Sequence, residues 1–160
     1  DPPAFPAARC SALAGGVFGA ELDADLALGD GLTLAIEPGP GNVVRDAKVA
    51  RRLLDEVGSP QLKIILDAAN LIGPDGLPRQ HQIMAEAFAL LGQDVVLAHA
   101  KDINARGHVV PPGQGAIDLA SFVHGLKQAQ FTGAVVAHGF EEKDTAAASS
   151  ALKAILKSQT

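Results

Sequence analysis

Tryptophan and tyrosine are absent from the 160-residue chain, and six phenylalanines are its whole aromatic content. Any core must therefore be built from Ala, Val, Leu and Ile, and a hydrophobic fraction of 48% supplies enough of them. There is one cysteine, Cys10, which excludes an internal disulfide and a multi-cysteine zinc site. Nothing around Cys10 marks it as a nucleophile, and a reducing, cytoplasmic location is expected. No run approaches the ~18 apolar residues of a membrane span. The mildly apolar stretch 12–20 is short, Gly-rich and without the basic start of a signal peptide. A basic block is missing too, and the net charge of −5 argues against nucleic acid as a partner. The chain starts at Asp1 rather than Met, as expected of a piece of something longer.

What is present is a rhythm. Residues 1–30 are expected to be irregular: "DPPAFPAAR" carries three prolines, and no clean period follows. From residue 31 onward, short apolar runs alternate with helical patterns. "LTLAIE" (32–37), "LKIILD" (62–67), "VVLAHAKD" (95–102) and "GAVVAH" (133–138) read as strands. Helices are expected after Asn42, which can cap the first turn, and at 80–92, 116–130 and 144–158. In the first helix, Val43, Ala47, Ala50, Leu53, Leu54 and Val57 recur at helical spacing until Gly58 and Pro60 stop it. Four strand-then-helix units imply an α/β fold with a parallel sheet. An open doubly wound sheet and part of a TIM barrel both satisfy that pattern. A whole barrel needs about 250 residues, so residues 31–160 are expected to form a half barrel of four βα units. The other half would be missing or supplied by a second copy, since a half barrel leaves two sheet edges unpaired.

Each strand is apolar until its C-terminal end, where Glu37, Asp67, His99 and His138 stand one per strand, 30, 32 and 39 residues apart. Ligands bind at that edge in parallel α/β folds. Strand alternation lets all four side chains point to one centre. Two carboxylates and two imidazoles suit a divalent metal: oxygen ligands favour Mg²⁺ or Mn²⁺, and imidazole adds affinity for Mn²⁺, Co²⁺ or Zn²⁺. The bland alternative is a row of polar residues capping loops and facing solvent. His81 and His124 fall within helical segments and read as surface or core histidines rather than ligands. "GPGN" lacks the third glycine of a dinucleotide fingerprint.

The segments "LAIEPGPGN", "ILDAANL", "LAHAKD" and "PPGQGAIDL" resemble, in order, the sugar phosphate isomerase/epimerase family with the xylose-isomerase-like TIM barrel. The resemblance covers about 31–157, the last four βα units of that fold. It implies a divalent metal held by Glu37, Asp67, His99 and a fourth position, where His138 stands in place of the usual glutamate. In such epimerases the two glutamates also form the acid/base pair. Here His138 would have to serve, or Glu141 would have to swing in. Asn70 stands where many members place a substrate-binding histidine.

The implied chemistry is removal of a proton beside a carbonyl of a sugar or sugar phosphate, through an enediolate. Glu37 or His138 can take the proton. Lys101 can steady the oxyanion, while Asp102 orients Lys101 or a loop; a plain salt bridge closing the strand end is the alternative for both. In the loop 103–115, Arg106 and His108 can reach a hydroxyl or a phosphate. Gly113 and Gly115 precede a helix N-terminus, a natural anion site, although an ordinary turn has the same composition. Two other readings stay open: an endonuclease IV-like phosphodiester hydrolase, which needs more His, Asp and Glu than the sequence offers, and a barrel fragment that binds a ligand or partner chain without turnover.

Overall fold

The computed structural model describes residues 33–158. The expected irregular segment 1–30, with Cys10, lies outside them. Four parallel strands form one sheet: β1 (Leu34–Ile36), β2 (Leu62–Asp67), β3 (Val95–Ala100) and β6 (Ala134–Ala137), adjacent in that order. The last strand is numbered sixth because a short antiparallel ribbon, β4 (Asp102–Ile103) with β5 (Val109–Val110), intervenes. The helices are α1 (Ala47–Val57), α2 (Ala68–Gly76), α3 (Gln80–Leu91), α4 (Leu119–Gln128) and α5 (Thr145–Ser158). Along the chain this is the expected parallel (β/α) series, a partial TIM barrel whose edges, among the described residues, are β1 and β6. None of the described helices is long and apolar enough to cross a membrane.

One face of the sheet is the core. Leu62, Ile64 and Leu66 of β2 and Ala98 and Ala100 of β3 are buried on it. They meet Leu53 and Leu54 of α1, Met84, Ala87 and Leu91 of α3, and Leu119, Phe122 and Leu126 of α4. Phe122 is the largest fully buried side chain among the described residues, and its ring lies 5.8 Å from that of Phe88. Burial of a side chain of this size contributes about 1.5–3 kcal/mol. The opposite face is barely covered: Ile65 and Leu97 are half-buried and Val136 is 40% exposed. In a complete barrel that face is filled by side chains from the other strands.

Local chemistry sets the element ends, sometimes differently from expectation. The first helix is capped by Asp46, whose carboxylate accepts from the Val49 N–H at 2.9 Å, and not by Asn42. Asn42 instead closes the tight turn after β1, its N–H on the Gly39 carbonyl, and Val43 stays exposed. Gly58 ends α1 in the left-handed region, as expected. Residues 68–76, for which no periodicity predicts an element, form α2. Asp67 caps it by accepting from the Asn70 N–H, and Gly73, with φ of 57°, kinks it before Pro74. Only glycine takes that backbone conformation cheaply, and the proline can then begin the next turn.

At the N-terminal rim, Asp94 binds Lys63 of β2 at 2.8 Å and Arg51 of α1 at 2.9 Å. Burial pushes the Asp94 carboxyl up, but the hydrogen bonds from Lys63 and Arg51 outweigh it and hold it below its usual range.

Candidate metal centre

Asp67 is the last residue of β2 and lies level with His99 on β3, which in turn lies level with Val136 on β6. His138 follows β6 directly and Glu37 follows β1 directly. The register therefore carries all four side chains to the C-terminal mouth of the sheet. One ligand-type atom from each of Glu37, Asp67, His99 and His138 lies within 4.8 Å of the other three. Ligands about 2.0–2.6 Å from a common ion lie up to about 5 Å apart, so the donor set is within reach of one divalent cation.

The carboxylates are held by their spare oxygens. Glu37 Oε1 accepts from Asn70 Nδ2 at 2.9 Å and from His99 Nδ1 at 3.0 Å. A carboxylate only accepts, so Nδ1 is the donor, and Nε2 is the His99 nitrogen left to face a cation. Asp67 Oδ1 caps α2 through the Asn70 N–H, 3.0 Å away. Asp67 Oδ2 faces His138 Nε2 at 3.3 Å and Lys101 Nζ at 3.4 Å. The two imidazoles stand edge to face with centroids 4.3 Å apart.

Asn70 is the hub of this network. Its Oδ1 accepts from Lys101 Nζ, its Nδ2 donates to Glu37, and its backbone N–H donates to Asp67. Lysine has no acceptor, so the amide can point only this way. Such outer contacts fix ligand orientation in metal sites. The sequence signal for this hub was the Asp67–Asn70 spacing of a helix cap, hidden by the Gly-Pro-rich segment behind it.

Other expected residues are placed elsewhere. Asp102 is wholly buried. Its carboxylate accepts the N–H groups of Ile103, Gly113, Gly115 and Ile117 at 2.8–3.1 Å. It orients the loop rather than Lys101, and it has no accessible surface with which to contact a substrate. The N–H groups of Gly113 and Gly115, read from sequence as either an anion site or an ordinary turn, are thus taken by the chain's own aspartate. A Cβ on Gly115 would collide with that carboxylate and with the Ile103 carbonyl.

The ribbon 102–110 runs along the mouth, with Gly107 against Pro74 and Val109 against Gly139. Asn104 Oδ1 holds its tip through the N–H groups of Arg106 and His108. The side chains of Arg106 and His108 are exposed and make no hydrogen bond or ion pair among the described residues. Glu141 pairs with Lys143 at the surface. His81 is also at the surface, 2.9 Å from Asp118, and His124 is exposed. The His81 hydrogen bond, with help from the Ser121 N–H, lowers the Asp118 carboxyl to about 2.

Solved structures with this arrangement of strands and helices include three whose names bear on the site. A D-tagatose 3-epimerase-like protein matches with a TM-score of 0.63 and 18% identity over 81% of this chain and 48% of its own. A xylose isomerase-like TIM barrel protein from Mycobacterium smegmatis, in complex with magnesium, matches with a TM-score of 0.57 and 16% identity over 79% and 44%. The IolI protein with a bound zinc atom matches with a TM-score of 0.55 and 20% identity over 80% and 49%. The chain thus spans about half the length of these proteins. No curated protein matches the sequence. The sequence itself matches the xylose isomerase-like TIM barrel over residues 20–158, and with the half barrel and its strand-end cluster in place, the chain belongs to that family.

Proposed function

We propose that the chain carries the metal-binding half of a sugar or sugar-phosphate isomerase or epimerase that works by proton transfer. The observation that carries this reading is the convergence of Glu37, Asp67, His99 and His138 at the C-terminal mouth. Similarity to an epimerase-like protein, and to structures with bound magnesium and zinc, supports it. Glu37, Asp67, His99 and His138 would hold the ion, Mn²⁺, Co²⁺, Mg²⁺ or Zn²⁺. Such an ion supplies electrostatic stabilisation to the oxygens of an enediolate.

Glu37 and His138 approach the cluster from opposite edge strands, an arrangement suited to a proton acceptor and a proton donor on two sides of a substrate carbon. Lys101, whose side chain is 16% exposed, carries the ammonium to steady developing negative charge. Asn70 offers an amide to a hydroxyl, and Arg106 and His108 offer their free side chains to a hydroxyl or phosphate at the rim. The half-covered inner face with Val136 is where the remaining strands, or a second copy, would pack.

Titration calorimetry with Mn²⁺, Co²⁺, Mg²⁺ and Zn²⁺ tests the reading: the chain takes up one ion, and Glu37→Gln or His99→Ala abolishes uptake. A folded chain that takes up none of the four refutes it. His138, in place of glutamate, favours a second reading in which the site binds ligand without turnover. Solvent deuterium entering a ketose beside its carbonyl, followed by NMR, separates the two.

A further inference from the structure

Lys101 presents a problem that the metal reading does not absorb. Its ammonium sits 3.4 Å from Asp67 Oδ2, the oxygen that also faces His138 Nε2 and the only one on Asp67 without a backbone partner. Asp67 has no solvent exposure. A buried carboxylate needs a compensating cation, and among the described residues Lys101 is the lysine or arginine within reach. With neutral imidazoles the cluster carries two negative charges from Glu37 and Asp67 and one positive charge from Lys101. A divalent ion entering there meets half the attraction that the two carboxylates alone would offer. The same ammonium has a second partner already in contact, Asn70 Oδ1, which is uncharged and turned away from Glu37.

We propose that Lys101 is a tethered counter-cation of the metal centre: it neutralises Asp67 while no ion is bound, and leaves Asp67 while keeping Asn70 when a divalent ion arrives. The lysine thereby keeps the buried ligands folded in place without metal and weakens metal binding. It leaves the released ammonium beside the mouth, where an anionic substrate oxygen can meet it. This rests on the metal reading above.

The test is calorimetry on the full chain with Mn²⁺ and Zn²⁺, comparing wild type with Lys101→Met, which keeps the stem and removes the charge. The variant should bind each ion at least about tenfold more tightly, while its ion-free form melts at a lower temperature than wild type. Wild type that binds with Lys101→Met no tighter overturns the counter-cation role and leaves the metal reading intact. Uptake by neither protein overturns both. If Lys101→Met does not fold, a crystal structure of wild type with Mn²⁺ decides: Lys101 Nζ should have left Asp67 Oδ2 and kept Asn70 Oδ1. An ammonium still on Asp67 beside the ion overturns the proposal.

Discussion

Two aspartates at the same edge of the sheet, Asp67 and Asp102, are both wholly buried, and their surroundings have little in common. Asp102 is saturated by backbone: four N–H groups from one loop converge on its two oxygens. Asp67 has one backbone N–H, and among the described residues its other oxygen meets an ammonium and an imidazole, both on side chains. A carboxylate whose lone pairs are spent on rigid backbone is a structural part. One whose lone pairs face side-chain donors can exchange them for an ion. Burial alone does not distinguish the two; the identity of the partners does.

The comparison makes its largest prediction at Asp102. Asp102→Ala removes the acceptor of four backbone N–H groups, those of Ile103 and Ile117 buried, and should cost about 3–5 kcal/mol in urea unfolding. Gly115→Ala, which drives a methyl into the same carboxylate, should also be strongly destabilising. If either is within about 1 kcal/mol of wild type, the loop is not organised by Asp102. Asp67→Asn should do the reverse. It keeps the cap on α2 and changes stability by no more than about 1–2 kcal/mol, but it should lower metal affinity by more than the 10–100-fold typical of an outer partner. Calorimetry alongside the unfolding curve reads both effects, and a large stability loss with unaltered binding would collapse the distinction.

A smaller effect sharpens the ligand set. His138→Glu replaces a nitrogen donor with oxygen, so the ratio of Zn²⁺ to Mg²⁺ affinity should fall by about an order of magnitude. An unchanged ratio would place His138 outside the ligand set.

The smallest effect belongs to a half-buried carboxylate for contrast. Asp118, whose side chain is 35% exposed, is lowered to about 2 from an ordinary 3.8. Between those values the unfolded chain takes up a proton that the folded chain refuses, so this contribution is present above about pH 4 and is lost as pH falls toward 2. His81→Ala removes the chief cause, and the melting temperature should then fall less steeply across that window. Solvent screening keeps the difference to a few degrees at most.

The sequence by itself determined the order of strands and helices from residue 31, because apolar period and turn residues are local properties of the chain. It also placed Glu37, Asp67, His99 and His138 at strand ends, because a strand's last residues can be counted. It did not reveal α2, whose Gly-Pro kink hides the helical pattern, or the cap at Asp46, since both Asn42 and Asp46 are chemically able to cap. Tertiary structure alone decided what the polar groups face. Asp102 and Asp67 look alike in sequence, each ending an expected strand run. Their difference comes from which distant groups the sheet register and the 113–117 loop bring against them. Hydrogen bonds between residues 15 or 71 positions apart, such as Ile117 to Asp102 and His138 to Asp67, exist only once the sheet has formed.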